Sequence, residues 1–142
     1  MGLRSKIKKY FYNKKFNNDS ILNELKNENI LITGSSSGIG FAILKLLIKE
    51  NNILAVCNKN KENLDNINDT KLTVVKCDLM NMNDYDSLNN EIKRFNTTMI
   101  INCAGVFGSN NQDLSNIDFD NFINVIKLNS LSILKILQMI FL

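Results

Sequence analysis

Histidine, proline and tryptophan are all missing from these 142 residues, and arginine occurs only at Arg4 and Arg94. The missing histidine has a firm consequence: no mechanism that needs imidazole as base, nucleophile or metal ligand is open to the chain. Asn, Lys and Ile are used heavily instead, a bias that reads as the codon composition of an AT-rich genome. Cysteine is scarce. Cys57, Cys77 and Cys103 form an odd, widely spaced set without a CxxC pair, which argues for reduced, buried and inert thiols and against a disulfide framework, a redox centre or a metal site. Long hydrophobic runs are scarce as well. The longest covers residues 131–142 and is interrupted by Lys135, too short to span a bilayer. The N-terminus shows no apolar segment followed by a small-residue cleavage site. Met1-Gly2 is followed by Lys6, where a myristoylation start requires Ser or Thr. These absences predict a cytoplasmic protein.

What is present fits one globular domain. A chain of this length buries about two-thirds of its unfolded surface, and 44% hydrophobic with 22% charged residues is ordinary globular usage. The net charge of +3 is unevenly placed. Arg4, Lys6, Lys8, Lys9, Lys14 and Lys15 are six of the 17 basic residues and lie in an arm without an acid; the other 11 face 14 acidic residues, so the body is mildly acidic. Nucleic-acid binding by the protein as a whole is therefore not predicted. Tyr10, Phe11, Tyr12 and Phe16 stand among the lysines of the arm, a composition that suits an anionic membrane surface, although a solvated, frayed terminus is the favoured reading.

Residues 1–28 read as this basic polar arm, with Asp19 or Ser20 able to cap a short helix through Leu25. From residue 29 the pattern changes to short apolar runs alternating with amphipathic stretches. Strands are predicted at 30–33, 53–57, 72–77 and 99–102. Helices are predicted at 38–49, where Ile39, Ala42, Ile43, Leu46 and Leu47 recur at helical spacing, and at 84–95 through Tyr85, Leu88, Ile92 and Phe95. Ser115-Asn116-Ile117-Asp118 reads as a capping box opening a long final helix. The Asn-rich stretch 58–68 reads as loop and helix surface. Strands alternating with helices imply an α/β fold with a doubly wound parallel sheet, and no internal repeat exceeds that βα rhythm.

The strongest chemical signal is Thr33-Gly34-Ser35-Ser36-Ser37-Gly38-Ile39-Gly40, placed between a predicted strand and a predicted helix. Gly34 permits a sharp turn off the strand, Gly38 lets the backbone approach a pyrophosphate, and Gly40 lets helix and strand pack closely. Phosphates would meet the free N–H groups of the helix N-terminus. This octapeptide resembles the TGxxxGIG signature of short-chain dehydrogenases/reductases. Three further matches follow in order. Cys77-Asp78-Leu79 is similar to the family's segment in which an Asp accepts from the adenine amino group. Ile101-Asn102-Cys103-Ala104-Gly105 resembles its NNAG motif, with Cys103 in place of the second Asn. Asn129 resembles the Asn of the family's proton relay. The resemblance covers residues 29–142 and implies a Rossmann-type fold, a dinucleotide cofactor held by residues 34–40, Asp78, Leu79, Asn102, Ala104 and Gly105, and interconversion of a carbonyl and an alcohol.

Cofactor preference follows from charge. An NAD site places an acid about 20 residues past the glycines to hold the ribose 2′-hydroxyl. Here that place reads Cys57-Asn58-Lys59-Asn60-Lys61, with no acid before Glu62. Lys59 would attract the 2′-phosphate that a carboxylate would repel. NADP(H) is predicted over NAD(H), with Lys59 as the main contact and Ser35 or Asn58 assisting.

The resemblance also marks what is missing. The family's chemistry needs a Ser after a fifth strand and a YxxxK pair on the next helix, with the Tyr as general acid/base. The tyrosines here are Tyr10, Tyr12 and Tyr85. Tyr85 has Asn89 four residues later, and the literal YxxxK of Tyr10 and Lys14 precedes the first strand. Only Asn129 of the catalytic set is present, so the 142 residues are not expected to reduce a substrate unaided. The implied sheet order is 3-2-1-4 out of the family's 3-2-1-4-5-6-7. That leaves residues 99–102 as a hydrophobic edge and predicts homo-oligomers or edge-to-edge association, which sedimentation velocity reads directly. Alternatives to a reductase portion are a non-catalytic nucleotide-binding module, a chain completed by a partner, and a degenerate gene product.

Overall fold

The computed structural model describes residues 25–108 and 115–141. The helix predicted from Asp19 or Ser20, and the rest of the basic arm through residue 24, lie outside the described residues. Four strands, β1 (Asn29–Thr33), β2 (Asn52–Cys57), β3 (Leu72–Lys76) and β4 (Met99–Asn102), form one parallel sheet in the order β3-β2-β1-β4. The helices are α1 (Gly38–Leu47), α2 (Glu62–Asp65), α3 (Tyr85–Phe95), α4 (Phe119–Ile126) and α5 (Ser132–Phe141). A 3-10 turn, Met82–Asp84, precedes α3, and a π-helical segment, Lys127–Leu131, joins α4 to α5.

The sheet forms because its central strands are apolar on both faces, the pattern of a buried parallel strand. Ile30, Leu31, Ile32 and Thr33 of β1 are fully buried. Alternation sends Leu31, Leu54, Val56 and Val75 to one face, where they meet Tyr85, Leu88 and Ile92 of α3 and Ile136 of α5. Ile30, Ile32, Ile53 and Ala55 go to the other face and meet Leu44 and Leu47 of α1 and Leu64 of α2. Each fully buried Ile or Leu contributes about 2 kcal/mol by removing its surface from water. Buried Asn51 ties the chain entering β1 to this frame. Its Oδ1 accepts from the Glu28 N–H at 3.0 Å, and its Nδ2 donates to the Leu25 and Leu47 carbonyls at 2.9 Å.

Register places the C-terminal ends of the strands side by side: Thr33 opposite Val56 and Asn102, and Cys57 opposite Lys76. The chain winds outward from β1 to β3 and then crosses to β4 on the other side of β1. The crevice between the ends of β1 and β4 is therefore the topological switch point, where ligands bind in open α/β sheets.

Two expectations change at the C-terminal end. The cap of α4 is Asp118, whose side chain accepts from the Asn121 N–H at 3.0 Å; the capping box expected to begin at Ser115 does not open the helix. An Asp carboxylate takes the N3 amide directly, so the helix starts one turn later. The second change concerns length. Helical structure runs from Phe119 to Phe141, 23 residues holding an 18-residue window of mean hydropathy 1.3, long and apolar enough to cross a membrane by length and composition. The run of residues 131–142 understated it, because the helix continues through Lys127, Asn129 and Ser130. Ser132 and Ile136 are buried against the domain, whereas Phe119, Leu134 and Phe141 are exposed. β4 is one of the two edge strands of the sheet, and its Met99, Ile100 and Ile101 are only half-buried.

Candidate functional site

Immediately after β1 the chain turns at Gly34 (φ +61°) and again at Gly38 (φ +53°), left-handed positions that favour glycine. The turn at Gly34 brings it against the loop leaving β4. A Cβ placed on Gly34 would lie 2.8 Å from the Ala104 nitrogen and from the Cys103 carbonyl carbon and oxygen. A Cβ on Gly40 would collide with the Gly34 carbonyl, so this glycine sets how closely α1 approaches β1. Gly38 is different, since nothing lies within 4 Å of a Cβ there. The side chain of Ser37, the N-cap of α1, makes no capping hydrogen bond. The first-turn N–H groups of α1, which have no partner within a helix, thus open onto a cavity of about 500 Å³.

Gly34, Ser37, Gly38, Ile39 and Gly40 line this cavity on one side, and Cys103, Ala104, Gly105 and Asn129 on the other. A second cavity of about 210 Å³ is lined by Ser36, Asn58, Asp78 and Leu79 and shares Gly34, Ser37, Ala104 and Gly105 with the first. The shared walls make the two one elongated cleft over the ends of β2, β1 and β4. The first-turn amides of α1 line one part of it and the Asp78 carboxylate the other. Such a cleft offers the backbone donors and the glycine-cleared approach that suit a pyrophosphate at a helix N-terminus.

The loop after β4 is held by Thr33, whose part beyond opening the glycine motif was not read from the sequence. Its hydroxyl donates to Asn102 Oδ1 at 2.6 Å and accepts from the Cys103 and Ala104 N–H groups at 3.1 and 3.0 Å. Asn129, inside the π-helical segment, brackets the next residue. Its Oδ1 accepts from the Val106 N–H and its Nδ2 donates to the Val106 carbonyl, both at 2.9 Å. A π-helical turn here places the amide against that backbone. Asn63 of α2 was also missed; its Nδ2 donates to the Ser36 carbonyl at 2.9 Å and ties the segment after β2 to the glycine loop.

Not every candidate residue reaches the cleft. Ser35 is fully buried beneath it and its hydroxyl donates to the Val56 carbonyl at 3.1 Å. It is not placed to assist a ribose phosphate, because a buried hydroxyl takes the nearest acceptor. Asn102 lines neither cavity and is engaged by Thr33. Leu79 does reach it, lining the smaller cavity with the edge of a side chain that lies mostly in the core. Asn58 lines the smaller cavity, while Lys59 stands exposed just beyond it. Among the described residues Lys59 has no ion-pair partner, whereas Lys61 pairs with Asp65 at 3.2 Å.

Burial raises the thiol pKa of all three cysteines, Cys77 to about 12. Cys57 and Cys77 are buried and Cys103 is half-buried. Tyr85, whose hydroxyl donates to the Leu79 carbonyl at 2.7 Å, is also pushed to about 12, by burial and then by Cys77 and Asp78. Folded, Cys77 and Tyr85 keep their protons well past the ordinary values of 9.0 and 10.0 at which the unfolded chain releases them. Above pH 9 the unfolded state binds fewer protons, so stability falls as pH rises from 9 towards 12. Urea midpoints should drop across that window, and Tyr85→Phe should flatten the part above pH 10. A midpoint independent of pH there would contradict the burial of these groups.

The arrangement is that of a Rossmann-type dinucleotide-binding domain. The family model described as short chain dehydrogenase matches residues 28–141. A Saccharomyces cerevisiae protein described as an uncharacterized oxidoreductase is 30% identical over 120 residues, covering 82% of this chain and 36% of the relative. A short chain dehydrogenase from Burkholderia cenocepacia in complex with NADP superposes with a TM-score of 0.70 at 19% identity, over 82% of this chain and 50% of the other. A 4-hydroxyisoleucine dehydrogenase complexed with NADH and succinate does so with a TM-score of 0.64 at 25% identity, over 78% and 50% of the two chains. This chain belongs to the short-chain dehydrogenase/reductase family and spans about half the length, or less, of these relatives.

Proposed function

We propose that this chain is the NADP(H)-binding portion of a short-chain oxidoreductase that interconverts a carbonyl and an alcohol, and that these 142 residues bind cofactor without turning it over. The observation that carries the reading is the continuous cleft, with the open first turn of α1 for the pyrophosphate and the free side of Asp78 for the adenine. Residues of the glycine loop would hold the phosphates, and a bound nicotinamide would supply or accept hydride. Absence of turnover is supported by Tyr85, the only tyrosine among the described residues, whose hydroxyl is buried and committed to Leu79. A chain completed by a partner is the second reading, favoured by the half-buried β4 edge and by the exposed apolar residues of α4 and α5.

Preference for NADP(H) rests on charge at the end of β2. No carboxylate stands between Cys57 and Glu62, and Lys59 is exposed and unpaired among the described residues. The solved relatives do not choose, since one holds NADP and another NADH. Titration of the 142-residue chain, followed by reduced-nicotinamide fluorescence, should give about tenfold tighter binding of NADPH than of NADH, the scale of one charge-assisted phosphate contact. Lys59→Ala should close most of that gap and leave NADH affinity unchanged. No NADPH should be consumed when carbonyl compounds are added. Equal affinities, or a gap untouched by Lys59→Ala, would overturn the preference.

A further inference from the structure

Asp78 lines the cleft and Asp84 is bonded to its backbone, and the structure gives the two carboxylates different work. Asp84 uses both oxygens on protein donors. Oδ2 accepts from the backbone N–H of Asp78 at 2.8 Å, and Oδ1 accepts from Asn81 Nδ2 at 2.8 Å. Around this pair the loop closes on itself. The Asn81 N–H donates to the Asp78 carbonyl at 2.8 Å, the Asp84 N–H to the Asn81 carbonyl at 3.1 Å, and the Asn83 N–H to Asn81 Oδ1 at 3.2 Å. Asp78 spends only one oxygen, accepting from the Met80 N–H at 3.0 Å. Among the described residues its other oxygen has no partner, and Asp78 lines the smaller cavity.

We infer that Asp84 is a positioning residue for base recognition: by holding the Asp78 backbone, it aims the free Asp78 oxygen at the exocyclic amino group of a 6-aminopurine. The inference deepens the cofactor reading and rests on it. Its chemistry is that of a carboxylate, which only accepts hydrogen bonds. It favours a base with an amino group at that position and disfavours one with a carbonyl there. Aim matters because hydrogen bonds weaken steeply away from linearity. A loosened Asp78 would keep its charge and lose its choice of base.

The test compares NADPH with the analogue in which hypoxanthine replaces adenine, on the full 142-residue chain. The wild-type chain should bind NADPH about tenfold tighter or more, as a hydrogen bond to a charged group allows. Asp84→Ala should bring the ratio close to one while retaining a cooperative melt. Asp84→Asn alone should also lower the ratio, because its amide can accept from only one of the two donors that Asp84 now serves. The exchange Asn81→Asp with Asp84→Asn restores a complementary pair and should recover the ratio. This comparison decides the matter if Asp84→Ala does not fold. An undiminished ratio in folded Asp84→Ala or Asp84→Asn, or an exchange variant that recovers nothing, would overturn the role of Asp84 and leave the cofactor reading standing. Failure of the wild-type chain to bind either dinucleotide would overturn both.

Discussion

Gly34→Ala should abolish dinucleotide binding and cost about 3 kcal/mol of folding stability, whereas Gly38→Ala should abolish binding at a cost of about 1 kcal/mol. The two glycines share a left-handed backbone, with φ of +61° and +53°, so each substitution carries the ordinary penalty of about 1 kcal/mol for a Cβ in that region. They differ in what the Cβ meets. At position 34 it would stand 2.8 Å from backbone atoms of Cys103 and Ala104. Those atoms end β4, which is hydrogen-bonded to β1, so relief requires the strand ends to part. Overpacking of this kind adds about 1–3 kcal/mol. At position 38 the Cβ meets nothing within 4 Å and occupies the open space of the cleft beside the first turn of α1. Urea denaturation and NADPH titration of both variants separate the effects. A Gly34→Ala protein as stable as wild type would mean that the strand ends are not in contact as described, and NADPH binding retained by Gly38→Ala would remove the phosphate from the α1 N-terminus.

That contrast marks what sequence alone can and cannot reveal. The glycine spacing announces its geometry because a missing Cβ is a local fact, readable wherever a strand runs into a helix. The strands were legible for a related reason. Residues 30–32 are apolar without alternation and run into a glycine, as a strand covered on both faces does, and β4 fell on the residues predicted for it, 99–102. The order β3-β2-β1-β4 came from the resemblance, since periodicity does not say which strands are neighbours.

What was not legible is long-range or irregular. The Thr33 hydroxyl reaches the Cys103 and Ala104 amides across about seventy residues, and no pattern near Thr33 signals it. Asn63 meets Ser36 only because β2 lies beside β1. The π-helical turn at 127–131 is a departure from 3.6-residue periodicity that helical spacing smooths over. Ser35 illustrates the converse error. A serine in a phosphate-binding loop invites a phosphate contact, yet the turn at Gly34 directs this one downward onto the Val56 carbonyl. Three consecutive serines share a composition but not an orientation, and only the turn assigns each its side.

Thr33→Val should weaken NADPH binding at least about tenfold and lower stability by about 2 kcal/mol, although it preserves the β-branched shape of a fully buried residue. The loss is confined to one oxygen. With it go the bond to Asn102 Oδ1 and the acceptor shared by the Cys103 and Ala104 N–H groups, and part-buried donors left without a partner cost about 1–3 kcal/mol. The binding effect follows from position. Ala104 and Gly105 form the wall common to both cavities, so freeing their backbone loosens the cleft along its whole length. Thr33→Ser keeps the hydroxyl and should recover most of the affinity while leaving a small methyl-sized deficit in stability. Chemical denaturation and fluorescence titration, made where every variant is fully folded, distinguish this from simple unfolding. Thr33→Val with wild-type affinity would show that Asn129, through its two bonds to Val106, holds the loop without help from the strand.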